Sequence, residues 1–420
     1  MANKMINELI GPGIRDESNG LHQIPMRAVQ IGAGLANHAD SLISTLDAGS
    51  KCLVVCDGIT SDILGNHIAK AVGASPLVLE KPYADMETVT MIRQASSESD
   101  LIIAVGSGTI NDLCKYASFL EHKPYTVFAT ALSMNGYGSA NASISLNGHK
   151  KTLTAHLPQA IYMDTDILSA APIRLTRAGF ADLLCRSTAQ ADWLLSHLLL
   201  GTDYIQLPFD LLKPYEKDLS EHAANLNRGD KELLGVLAEA LIISGFGMVI
   251  AQGSYPASQG EHMIAHTMEM VHGSNGSLHG EQISVTTQTM AALQHRMIAK
   301  MAEEKEWLTA KPYPEKDILR YFGETIGHEC LEEMKKKSAA HLDIPQINRN
   351  ILTKGDKILQ QLQDVMLPEG HLQSVLATVG CVSHPEDIGW NSADYQAALC
   401  HTYASRSRFT FLDIAWHIGD

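Results

Sequence analysis

Residues 101–116 read LIIAVGSGTINDLCKY: a short apolar run, a Gly-Ser-Gly step, then apolar positions at helical spacing. Leu101–Gly106 reads as a buried strand and Ile110–Leu120 as the helix that follows it. Gly106, Ser107 and Gly108 then stand at a strand-to-helix turn, where backbone without bulky side chains lets a pyrophosphate approach the N–H groups that open the helix. Thr109 adds a hydroxyl donor. Asn111 stands where a strict GxGxxG would place its third glycine, so the same residues also read as a turn kept small for steric reasons.

Outward from this unit the alternation repeats. MRAVQIG (26–32), CLVVCD (52–57), PLVLE (76–80) and YTVFAT (125–130) are brief and apolar, and amphipathic segments at Leu35–Leu46, Ile63–Val72 and Asp85–Ala95 separate them. Strands alternating with helices imply a mostly parallel sheet covered on both faces. A hairpin follows, Ala142–Leu146 and Lys151–His156 around an Asn147-Gly148 turn, and AIYMDT (160–165) is the last strand. Beyond Asp166 the period is helical: from Ser169 and Pro172 onward, then Lys231–Ile250, Ile283–Lys305, Ile351–Met366 and Ala393–Ala404. The fold class is therefore an α/β nucleotide-binding domain, residues 1–166, followed by an all-α domain, residues 167–420. Tyr313–Arg349, charged and holding Pro314 and Pro345, reads as peripheral helices and loops.

A chain of 420 residues has length for two such domains, and its 45% hydrophobic and 19% charged content is that of an ordinary globular protein. The net charge of -15 argues against nucleic acid or an anionic membrane as a partner, while leaving room for a local basic pocket. Cys52, Cys56, Cys114, Cys185, Cys330, Cys381 and Cys400 are odd in number and scattered, as expected of small buried residues in a reducing cytoplasm. The N-terminal residues lack a signal-peptide core, and no run is expected to approach the roughly 20 apolar residues that span a bilayer.

Chemistry concentrates in GEHMIAHTMEMVHGSNGSLHGEQ, 260–282. His262 and His266 are four apart and share a face of a helix; His279 opens a second helix after a Gly/Ser/Asn turn, so the two helices can bring imidazoles together. Converging neutral imidazoles suit a borderline divalent ion, and a catalytic site adds a carboxylate and keeps one position open. The bland alternative is a set of hydrogen-bonded core histidines. Asp182, flanked by Phe180, Leu183 and Leu184, is the candidate carboxylate, or else the ion-pair partner of Arg186. Asp57, ending the strand CLVVCD, can accept from both ribose hydroxyls of an adenosine, favouring NAD over NADP, or cap the next helix. TALSMNGYGSANASIS (130–145) is too rich in Gly, Ser and Asn to continue a strand and reads as a ligand-lining loop.

Taken together, VGSGTINDLCKYAS, FATALSMNGYGS, KKTLTAHLPQAIYMDTDILSAAPIRLTRAGFADLL, TAQADWLLS, EHMIAHTMEM, LHGEQISV and SRFTFLDIA resemble the iron-type alcohol dehydrogenase and dehydroquinate synthase-like superfamily. Within it the chain is most similar to bacterial AraM-type sn-glycerol-1-phosphate dehydrogenases. The resemblance implies a cytoplasmic homo-oligomeric enzyme of phospholipid metabolism that uses NAD or NADP and one divalent metal (zinc, nickel or iron). It implies Asp182, His262 and His279 as metal ligands and His266 as an orienting or proton-relay group. Asp57, Gly106, Ser107, Gly108, Thr109, Thr130, Ser133, Ser139 and Ser143 would meet the nucleotide, and Asn135, Lys150 and Lys151 the substrate, with surface lysines at a turn as the default reading of the last two. Asn135 departs from the aspartate usual in relatives; an amide donates and accepts hydrogen bonds but carries no charge. The implied reaction interconverts dihydroxyacetone phosphate and sn-glycerol 1-phosphate. Its rivals are another polyol dehydrogenase, a dehydroquinate synthase-like cyclase and a weakly catalytic nucleotide-binding protein.

Overall fold

The computed structural model describes residues 2–16, 20–45, 49–146, 149–303, 308–339, 343–368 and 370–419. Its main strands are β1 (Ala28–Gly32), β2 (Cys52–Asp57), β3 (Leu77–Leu79), β4 (Leu101–Gly106) and β5 (Tyr125–Ala129). The hairpin strands β6 (Asn141–Leu146) and β7 (His149–Thr154) follow, then β8 (Ala160–Asp164). The Asn147-Gly148 turn expected between β6 and β7 lies outside the described residues. Strands β2 and β4 match their apolar runs end to end, because a strand buried on both faces writes itself as a continuous hydrophobic segment.

Six strands form one sheet in the order β1-β8-β5-β4-β2-β3, all parallel. The chain leaves β2 for β3 on one side and runs through β4 to β5 on the other. The carboxyl ends of β2 and β4, at Asp57 and Gly106, therefore flank the point where strand order reverses, the place where open α/β sheets bind ligands. Helices α1 (Met86–Ala95) and α2 (Gly108–Leu120) pack against each other beside the sheet. The helix expected from Leu35 starts as a 3-10 turn, Leu35–His38, before Ala39–Ser44, and the one expected from Ile63 follows a π turn, Ser61–Gly65.

Among the described residues no strand follows Asp164. That residue caps Thr165–Ala170 by accepting from Asp166 N, and Pro172 separates this helix from α3 (Ile173–Leu184). The later helices include α4 (Arg186–Leu200), α5 (Leu207–Glu221), α6 (Lys231–Ile250), α7 (Gly260–His272), α8 (His279–Glu303), α9 (Glu315–Ala339) and α10 (Ile344–Val365).

The chain divides into two compact units, residues 1–183 with 207–253, and residues 184–206 with 254–420. The boundary expected at 166/167 marks where strands stop, not where the units part, because nearly all of α3, with α5 and α6, belongs with the sheet. The reason is backbone contact: a Cβ on Gly179 of α3 would lie 2.1 Å from Leu132 O, and one on Gly138 would lie 2.6 Å from Ile242 O of α6. Helix α6 also corrects the expectation that no run is long and apolar enough to span a bilayer. It passes that test by length and composition, yet fifteen of its twenty residues are buried within the first unit.

The second unit has its own core, with Ile264 and Met268 of α7, Ile283 and Met290 of α8, Ile318 and Phe322 of α9, and Ile347 and Ile351 of α10. The described residues of 313–349 are thus not peripheral. Their charged face conceals an apolar stripe at helical spacing that completes this core.

Candidate active site

Helix α7 begins at Gly260 and carries His262 and His266 one turn apart; Gly273, at φ 76°, ends it, and α8 starts at His279. This turn brings the three imidazoles together. The ring centroids of His262 and His279 are 5.1 Å apart, with His266 at 6.0 Å from the first and 6.2 Å from the second.

Partners decide what each ring presents. His262 Nδ1 lies 3.0 Å from Glu261 Oε1. Glu261 also accepts from Gln259 N at 2.7 Å and from Thr188 Oγ1 at 3.0 Å. Burial raises the Glu261 pKa, but the hydrogen bonds from His262 and the Gln259 N–H together hold it below the usual range, so it is a carboxylate. Neutral His262 therefore carries its proton on Nδ1, towards Glu261, and leaves the Nε2 lone pair for a ligand, as a carboxylate hydrogen-bonded behind a metal-binding histidine arranges it.

That Nε2 lies 3.3 Å from His279 Nε2. Two ligands at about 2.0–2.1 Å from one tetrahedral ion are about 3.3–3.4 Å apart, so the pair fits a single zinc-like cation. Cys185, Glu261 and His262 also place donor atoms within 4.8 Å of one another, but the Glu261 oxygens are taken by the hydrogen bonds just described.

His266 differs. Its Nδ1 lies 3.2 Å from Arg406 Nη2. A guanidinium can only donate, so Nδ1 accepts and the ring proton is on Nε2.

Behind this group, Asp192 is fully buried and accepts from Gly260 N and Phe411 N, both at 3.0 Å. Burial and the nearby Glu261 charge push its pKa up to about 8, against the pull of the Phe411 and Gly260 N–H groups and of Gln294. Through the Gly260 N–H it holds the N-terminus of α7 in place.

In the first unit, Asp182 is 1% exposed and its Oδ2 accepts from Asn135 N at 2.8 Å. Asn135 is itself buried, with Nδ2 3.4 Å from Ser244 Oγ of α6. Arg186, the alternative partner considered for Asp182, donates from Nη1 to Gln190 Oε1 at 2.8 Å.

The loop after β5 is fastened by a residue that motif reading passed over. Lys115 of α2 is wholly buried, and its Nζ donates to Gly136 O (2.6 Å), Ser139 O (2.9 Å) and Asn141 O (3.0 Å). Three N–H donors thus meet three carbonyls. Asp112 accepts from Ser143 N at 3.0 Å and ties down the following residues. The only sequence signal for this pair is two charged residues, Asp112 and Lys115, on an otherwise apolar helix.

Of the expected nucleotide contacts, Asp57 forms a capping box. Its Oδ1 accepts from Ile59 N and Thr60 N at 2.9 and 2.8 Å, and its N–H donates to Thr60 Oγ1 at 3.0 Å. Thr130 continues β5, donating its N–H to Gly106 O at 3.1 Å. The glycines have steric work as well: a Cβ on Gly106 would lie 2.7 Å from Ile110, and one on Gly108 would lie 2.9 Å from Met134 Sδ. Ser133 hydrogen-bonds Tyr137, and Ser139 Oγ, 2% exposed, donates to Gly136 O at 3.1 Å, so Ser139 supports the loop from inside. Lys151 is exposed on β7.

Residues 30–172 match the iron-containing alcohol dehydrogenase family. A glycerol-1-phosphate dehydrogenase [NAD(P)+] from Bacillus velezensis is 35% identical over 416 residues, covering 95% of this chain and 93% of that protein. The chain belongs to the glycerol-1-phosphate dehydrogenase family. A second member, from Halalkalibacterium halodurans, is 31% identical over 300 residues, 67% of this chain and 74% of its own. Among solved structures, NADH-dependent butanol dehydrogenase A from Thermotoga maritima shares the fold at a TM-score of 0.61 and 14% identity, over 95% of this chain and 98% of that one.

Proposed function

We propose that Asp182, His262 and His279 hold the divalent ion of an NAD(P)-linked dehydrogenase that interconverts dihydroxyacetone phosphate and sn-glycerol 1-phosphate. Family membership makes the chain an oxidoreductase of the NAD(P)- and metal-dependent iron-type class. The observation that carries the residue assignment is the 3.3 Å between two Nε2 atoms, one of them on a ring whose Nδ1 faces the Glu261 carboxylate. An ion bound there supplies electrophilic polarisation of the substrate carbonyl, and the nicotinamide supplies the hydride. The protein holds the partners in register. His266, with its N–H on Nε2, would orient the substrate oxygen by a hydrogen bond, and the proton that oxygen takes up on reduction comes from water. Asn135, neutral and buried, offers a hydrogen bond to a substrate hydroxyl without a second carboxylate charge beside Asp182.

The nucleotide runs across the carboxyl ends of β2 and β4. Asp57 meets its ribose, Gly106, Ser107, Gly108 and Thr109 its phosphates, and Thr130, Ser133 and Ser143 line the loop that Ser139 supports. Lys150 and Lys151 attract the substrate's phosphate. The enzyme works as a homo-oligomer in the cytoplasm; its scattered cysteines support the cytoplasmic part of this reading.

Purified protein is expected to oxidise NADH in the presence of dihydroxyacetone phosphate, to stop when treated with a chelator and to resume with zinc, nickel or ferrous ion. Turnover that survives complete metal removal would sink the assignment. Asp57→Ala is expected to narrow the discrimination between NADH and NADPH and, by removing a helix cap, to cost about 1 kcal/mol of stability. An unaltered ratio of the two kcat/KM values would count against the ribose contact.

A further inference from the structure

Two arginines stand in the segment SRSRFTF, 405–411, and they are held unequally. Arg408 is held by Ser258 O and by Ser254 Oγ at 2.8 Å, and its guanidinium lies 4.7 Å from the centre of the Tyr255 ring. Arg406 makes one hydrogen bond, to His266 Nδ1, and among the described residues no carboxylate lies within ion-pair distance of it. The acid whose charge reaches it most strongly is Glu333, which already accepts from Lys336 Nζ at 2.6 Å and from Ser407 N at 3.0 Å. Burial pulls the pKa of both arginines down, and for Arg408 the charge of Arg406 adds to the effect.

Partly buried cations without a counter-ion are costly, and a protein of net charge -15 has carboxylates in abundance from which to supply one. Leaving Arg406 without one makes sense if the missing anion arrives with a ligand. Its position indicates which ligand. The His266 ring that it touches stacks on His279 at 6.2 Å, so Arg406 stands one side chain from the imidazoles proposed to hold the metal. In a three-carbon ketone the phosphate ester is only a few bonds from the reacting carbon, so one end can be gripped while the other reacts.

We infer that Arg406 anchors the phosphate group of the substrate, forming a phosphomonoester subsite beside the His262–His266–His279 cluster and setting the preference for phosphorylated over plain three-carbon substrates. The guanidinium offers a planar fork of donors matched to phosphate oxygens. In the resting site its one occupied N–H holds His266 in the Nε2–H form. This inference rests on the activity proposed above and goes beyond it by naming the group that grips the phosphate beside the histidines, where Lys150 and Lys151 only draw it in.

The test compares wild type with Arg406→Gln and Arg406→Lys, each loaded with metal. Arg406→Gln keeps an N–H for His266 but removes the charge. The ratio of kcat/KM for dihydroxyacetone phosphate to that for dihydroxyacetone is expected to fall about 100-fold in Arg406→Gln and less in Arg406→Lys, the scale of a lost charge-assisted hydrogen-bond pair. A ratio unchanged in Arg406→Gln would overturn the inference. Binding of inorganic phosphate, followed by calorimetry, gives a readout independent of turnover. If wild type turns over neither ketone, the proposed activity fails by itself, and the subsite stands or falls on whether phosphate binds wild type and is lost in Arg406→Gln.

Discussion

Replacing His279 with alanine is expected to lower kcat about a thousandfold and to leave the purified protein with little bound metal, while its far-UV circular dichroism stays that of wild type. The rate loss corresponds to about 4 kcal/mol, the scale on which a bound cation stabilises charge developing on a substrate oxygen. His279 opens α8 and is partly exposed, so its truncation leaves the packing of Ile283 and Met290 in place. Asp182→Asn should act in the same direction through the metal, as the amide keeps an oxygen for the Asn135 N–H but loses the negative charge. Elemental analysis with steady-state kinetics on both variants separates the possibilities. Full metal content with full activity in either would remove that residue from the ligand set.

A second large effect is expected in the first unit, at Lys115→Met. This substitution fits the volume of the site but leaves Gly136 O, Ser139 O and Asn141 O without their donor. Stranding buried carbonyls costs about 1–3 kcal/mol for each, so a loss of about 4 kcal/mol in denaturant unfolding is expected. Because Asn135, next to Gly136, donates to Asp182, metal affinity should fall in the same variant.

The pH dependence carries a definite sign. Burial lowers the Lys115 pKa from 10.5 to about 8, against the opposing pull of Asp112. Between those values the unfolded chain binds the proton and the folded protein does not, so folding becomes more favourable as pH rises through the window. The stability gap between wild type and Lys115→Met should therefore widen from about pH 8 upward and level off near 10.5. A gap that narrows over this range would mean that the carbonyl cage holds the ammonium more strongly than burial opposes it.

Local pattern determined a good deal of this molecule. The strands Cys52–Asp57 and Leu101–Gly106 were legible to the residue, since burial on both faces leaves an unbroken apolar run between polar ends. Helix Lys231–Ile250 was legible too, and Asp230, whose side chain accepts from Glu232 N and Leu233 N, marks its start. The meeting of His262, His266 and His279 followed from a four-residue spacing and a glycine-rich turn, both short-range features.

Other features depended on contacts that no window of sequence contains. The units part at 183/184, 206/207 and 253/254 because Gly179 and Gly138 allow helix backbones to press against distant carbonyls, a closeness invisible in the helical period itself. Asp57 could be read as ribose ligand or cap; the fold shows the cap, and a cap of Oδ1 alone does not exclude a ribose on the other oxygen. Lys115 and Arg406 look like ordinary surface cations in the chain. Only the tertiary structure sets one among three carbonyls of a loop some twenty residues on, and the other against a histidine 140 residues earlier, because the energy of a buried charge depends on what surrounds it in space and not on its neighbours in sequence.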